Sequence, residues 1–277
     1  LLGAIAGFTI YFGLPVGRLQ GLGDRTRAFL SVLAAGILLF IFWDVLDAAH
    51  EILESGLLMA KDGGGWGTFA ARGIMAAAGI LVGGLGLAWI EHQLLRRRPP
   101  APMAGGSVDA AALGTGVPTS ELAGLAERAS LTLGMLIAVA IGLHNFSEGL
   151  AIGVSAGAGE VALATTLIIG FALHNATEGF GIVGPLGGVR PSWRWIILAG
   201  LIGGGPTFVG TLIGYRVTSP ALEISFYTLA AGAILYVVGQ LWTSANRRLG
   251  TRLVLFGLTI GYLIGLASDL VITYGGG

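Results

Sequence analysis

The chain has 277 residues, 54% hydrophobic and 11% charged, with 15 basic against 15 acidic side chains and no cysteine. Soluble domains carry roughly 25% charged residues, so this composition is that of a membrane protein. Without cysteine, disulfides and thiolate metal sites are both excluded.

A membrane span needs about 20 mostly apolar residues. Eight stretches qualify, near 2–20, 28–50, 67–90, 130–157, 161–185, 193–215, 222–243 and 252–274. They are long, continuous and rich in Gly and Ala, as helix interfaces in lipid are. A transmembrane barrel would instead show alternating segments of about 10 residues. The expected fold is therefore an all-α membrane protein, one transmembrane domain of eight helices over residues 1–277. Short cytoplasmic loops retain Lys and Arg. Arg18, Arg25, Arg27, Arg96, Arg97, Arg98, Arg128, Arg190, Arg194, Arg247, Arg248 and Arg252 fall on one set of connections, whereas Lys61, Arg72 and Arg216 fall on the other. Both termini are thus predicted outside.

In chain order, the first stretch reads as a span, with no cleavable signal peptide evident. The second runs into "WDVLDAAHEILES", where Asp44, Asp47, Glu51 and Glu54 share one helical face with His50 beside it. That face points outward and reads as a funnel whose negative field concentrates cations. A solvated helix end is the alternative; for Asp44 and Asp47 the funnel is preferred. The third ends at Glu91 and His92, read as a solvated interfacial pair. Residues 95–129, mostly "RRRPPAPMAGGSVDAAALGTGVPTS", read as a flexible cytoplasmic loop. Its Arg96 to Arg98 run suits a lipid-surface anchor better than a nucleic-acid patch, and no nucleic-acid partner is expected.

The fourth and fifth stretches carry HNFSEG at 144–149 and HNATEG at 174–179. At 100° per residue, His144 and Glu148 lie one turn apart on one face, with Asn145 on the same arc. His174, Asn175 and Glu178 repeat the arrangement. The short "SAGAGE" link makes the two helices antiparallel. For a turn centred near 161, His144 falls level with Glu178 and Glu148 with His174, so two motifs make one site. Two facing glutamates repel unless a proton or a cation lies between them. A divalent cation resolves the conflict, and imidazole with carboxylate suits zinc and its first-row neighbours. The sixth stretch, with "LIGGGPTFVG", reads as a glycine-rich helix broken at Pro206. Gln240 in the seventh and Asp269 in the eighth read as polar groups that hydrogen-bond between helices.

These residues resemble the ZIP (Zrt/Irt-like) family of divalent metal transporters: eight spans, outside termini, a long third connection and the HNxxEG signature. The resemblance implies metal uptake into the cytoplasm across the cell membrane, with zinc the leading candidate. It also implies that helices one, four, five and six move against two, three, seven and eight. The metal-site candidates are His144, Asn145, Glu148, His174, Asn175 and Glu178, with Asp44 and Asp47 beside them. Expected partners are divalent metal ions and the lipid bilayer, with a homodimer left open. The chain departs from the family pattern in two places. Ser147 and Thr177 stand where a proline is common, so a milder bend is expected from hydroxyls bonding to the carbonyl four residues earlier. Gly205 stands where many relatives place a glutamate, which puts a second metal in doubt. A membrane-embedded metal-dependent hydrolase or a metal sensor is the competing reading. Matched triplets without a separate catalytic motif such as HExxH favour carriage over chemistry.

Overall fold

In lipid a chain must satisfy its own backbone hydrogen bonds, and long apolar runs do so as helices. The computed structural model describes residues 1–19, 21–96, 119–216 and 219–275, and these are helical apart from short turns. Among the described residues, seven helices are long and apolar enough to cross a membrane: Asp24–Gly64, Trp66–Leu94, Thr119–Gly157, Val161–Leu186, Trp193–Gly214, Pro220–Leu249 and Thr251–Leu270.

The first predicted span takes a different form. It is a sequence of short pieces, α1 (Leu2–Phe8), α2 (Ile10–Gly13) and a 3-10 turn at Leu14–Arg18. Pro15, which has no N–H to donate, lies in that last turn. The rest of the bundle is α3 (Asp24–Met59), α4 (Trp66–Leu81), a π turn at Val82–Gly86, α5 (Leu87–Arg96), α6 (Thr119–Gly157), α7 (Val161–Val183), α8 (Trp193–Gly214), α9 (Pro220–Leu249) and α10 (Thr251–Gly275). Most of the expected loop, residues 97–118, lies outside the described residues. Its far end is helical, because α6 starts at Thr119. At 1.5 Å per residue, a helix of 39 residues is about 58 Å long, well beyond the roughly 30 Å hydrocarbon layer. Nor is the sixth stretch broken: α8 runs continuously through Pro206.

The helices pack as two groups. In one, α6 lies along α8, and α1, α2 and α7 pack around that pair; in the other, α3 lies along α9 and α10, with α4 against α9. Small residues set the closeness within each group. A Cβ on Gly149 would meet the Thr207 carbonyl carbon at 2.9 Å, and one on Gly83 the Ala233 nitrogen at 2.9 Å, so backbones touch there. Between the groups, branched side chains make much of the contact. Leu38 of α3, Ile137 of α6, Ile182 of α7 and Ile234 and Val237 of α9 are at most 2% exposed.

Candidate metal centre

The two repeated motifs meet where α6 and α7 pack. Glu148 lies against His174 Nε2, and Glu178 Oε1 lies 3.8 Å from His144 Nε2. This is the pairing expected from a turn near 161. Within α6, His144 Nε2 is 2.9 Å from Glu148 Oε1, one helical turn on. His144, Glu148 and His174 form a compact group whose ligand-type atoms all lie within 4.8 Å of one another. Glu178 stands beside it.

Burial makes this cluster costly as it stands. His144 is fully buried and Glu148 and Glu178 are 4% and 1% exposed. His144 Nδ1 and Nε2, Glu148 Oε2 and both Glu178 oxygens have no hydrogen-bond partner. Although His144 Nε2 is close to Glu148, the approach lacks hydrogen-bond geometry; the two atoms converge on a shared space. Orphaned polar atoms of this kind cost about 1–3 kcal/mol each, more when charged. A cation bound by imidazole nitrogen and carboxylate oxygen satisfies several at once.

The asparagines do something the spacing does not reveal. Asn145 Nδ2 donates to the Gly203 carbonyl of α8 at 2.9 Å, and Asn175 Nδ2 donates to the Ala6 carbonyl of α1 at 3.2 Å. Each motif helix is thereby tied to a neighbour in its own group. Both Oδ1 atoms stay buried without a hydrogen-bond partner, so each amide can fasten a helix by one end and offer oxygen by the other. The Gly203 carbonyl, which a broken helix would have exposed to the pathway, is instead taken by Asn145. Ser147 and Thr177 donate to the carbonyls of His144 and His174 at 2.6 and 2.7 Å. The acceptor is three residues back, not four as expected, because both side chains bend tightly onto the preceding turn.

A cavity of about 540 Å³ reaches the cluster, with His144, Ser147, Glu148, His174 and Thr177 in its lining. Its other walls come from Ile37 to Glu51 of α3, Tyr227 of α9 and Ile264 to Asp269 of α10. These positions lie toward the end of the bundle that holds the α6–α7 turn, the start of α9 and the end of α10. Asp44, Asp47 and Glu51 line the cavity as the acidic face of α3 suggests; His50 and Glu54 do not. Asp269, expected to hydrogen-bond between helices, instead lines the same wall, with no such bond among the described residues. Its signal in the sequence is a carboxylate in an otherwise apolar stretch, and only packing brings it opposite the α3 face. Toward the other end the branched side chains between the groups close the path. There Gln240 bonds to Glu91 Oε2 at 2.6 Å, so Glu91 is tied to α9 rather than paired with solvent.

Residues 119–239 match the family model described as ZIP Zinc transporter. That stretch contains both motifs and most of the centre. No curated protein matches the chain.

Proposed function

We propose that this chain, whose residues 119–239 match the ZIP zinc transporter family model and seven of whose described helices are long and apolar enough to cross a membrane, is a multi-pass membrane protein that moves a divalent transition metal, zinc foremost, into the cytoplasm. The transported ion is held by His144, Glu148, His174 and Glu178, with the asparagine oxygens of Asn145 and Asn175 as weaker donors. Asp44 and Asp47, joined by Asp269, concentrate cations in the cavity above. The observation that carries the reading is the compact His144, Glu148 and His174 group, buried with unpartnered polar atoms at the foot of an acid-walled cavity.

The cavity end carries the few basic connections, Lys61, Arg72 and Arg216. By charge distribution that end faces outside, and the membrane proposed is the cell membrane. Two carboxylates, Glu148 and Glu178, balance one divalent ion, so the site takes one metal at a time. Division into two groups, each zipped internally by backbone contact and separated by branched side chains, supports alternating access by movement of one group against the other. The deciding experiment is uptake into proteoliposomes with a panel of competing divalent cations. Saturable uptake is expected, strongest for zinc, and no saturable uptake of any divalent ion removes the transport reading.

A further inference from the structure

Among the described residues, every hydrogen bond between the two helix groups is donated by one of two arginines. Arg27, in the first turn of α3, donates to the carbonyls of Val16 at 3.1 Å and Gly17 at 3.2 Å, and also to Leu19. Arg248, in the last turn of α9, donates to the Gly184 carbonyl at 3.4 Å. The acceptors lie in the 3-10 turns that end the first span and follow α7, where the Val16 and Gly184 carbonyls also accept from the backbone N–H groups of Leu19 and Gly187. Both helix ends also carry partial negative charge. A guanidinium fork serves several such oxygens at once, which an ammonium cannot do in fixed geometry.

The backbone is shaped to receive these groups. Gly187, just past α7, has φ +62°, and a Cβ there would stand 2.8 Å from Arg248 Nη2. A Cβ on Gly184 would collide with the Ser31 hydroxyl of α3. At this end, then, the groups are seated on each other by polar and close contacts. Across the cavity at the opposite end, no hydrogen bond joins Asp44, Asp47 or Asp269 to the motif helices among the described residues.

We infer that Arg27 and Arg248 form a latch that holds the closed end shut, favours the conformation with the cavity open, and must release for the metal centre to reach the other side. This rests on the transport reading for its purpose but not for its test. The sequence contains no cysteine, so single cysteines report access directly. Ala151→Cys lies in the cavity wall. Ala34→Cys lies at the closed end, where the Ala34 Cβ is 3.7 Å from the position a Cβ on Gly181 would take and the residue is 1% exposed. In nanodiscs, with both faces open to a polar maleimide, the Arg27→Gln/Arg248→Gln variant should label Ala34→Cys about tenfold faster and Ala151→Cys correspondingly slower, the scale of one charged hydrogen bond lost. Lysine at both positions should leave most of that change in place.

Unchanged labelling at both reporters overturns the latch. So does an equal rise at both, which is loosening rather than a shift, and so does full restoration by lysine, which would make the arginines charge anchors only. If the double variant does not fold, Arg248→Gln and Arg27→Lys read the same ratio singly. Failure of the unmodified protein to take up any metal removes the transport reading and leaves the labelling result to stand or fall by itself.

Discussion

Replacing Glu148 with glutamine keeps the side-chain volume and removes one of the two charges that face the proposed ion. In the structure this carboxylate touches both His144 and His174, is 4% exposed, and has a second oxygen without a hydrogen-bond partner. At an effective dielectric near 20, a divalent ion attracts a single carboxylate 4 Å away by about 8 kcal/mol, twice the unit-charge value. Desolvation takes back part of that attraction, and the penalty for removing one partner of a buried ionic cluster is about 3–5 kcal/mol. The affinity for metal should therefore fall by roughly 10² to 10³·⁵. Calorimetric titration of the purified protein with zinc measures the affinity, and proteoliposome uptake measures the consequence. Glutamine at Glu178 should act less severely, since that residue stands beside the compact group rather than in it. A Glu148→Gln/Glu178→Gln variant that is folded and binds zinc within threefold of the unmodified protein refutes the assignment and the charge argument together.

Asn145→Ala removes the amide that ties α6 to α8 and should lower stability by about 1 kcal/mol, the usual net worth of a hydrogen bond, measured by thermal unfolding in detergent. Metal affinity should change less than tenfold; a loss as large as that of Glu148→Gln would make Asn145 a principal ligand. Asp44→Asn and Asp269→Asn should each slow uptake several-fold at low metal and low salt, with the difference shrinking as salt rises, because a steering field is screened over about 10 Å at 0.1 M; an effect independent of salt would place them in direct coordination. Anomalous scattering from crystals soaked in zinc should show one ion between α6 and α7. Two full sites within about 5 Å, neither touching an aspartate of α3, would leave about two uncompensated charges and contradict the charge balance.

The relative positions of His144, Glu148, His174 and Glu178 are legible in the sequence because they depend on short-range regularities. A helix advances 1.5 Å and turns 100° per residue, and the short turn at "SAGAGE" fixes how far α7 slides along α6. Hence the pairing of Glu148 with His174 and of His144 with Glu178 follows from numbering alone, as does the acidic face at Asp44, Asp47 and Glu51. Spans are legible for a similar reason, since apolar length sets what can cross lipid. The first of them nevertheless differs in form from the expected helix, because a break at Thr9 and the 3-10 turn that holds Pro15 divide it into pieces too short to stand among the long helices. What depends on distant helices is not legible. Asp269 belongs to the cavity only because α10 packs on α3 with that face inward. Asn145 spends its amide on Gly203 only because the glycines of α6 let α8 come within reach. The Pro206 helix stays continuous because close packing against α6 supports the turn that lost its hydrogen bond. In the sequence Arg27 and Arg248 are charges that set topology, and only the meeting of helix ends from two groups shows which carbonyls they hold. Periodicity acts along one helix or between neighbours joined by a tight turn, whereas the rotation and depth of every other helix come from packing all of them at once.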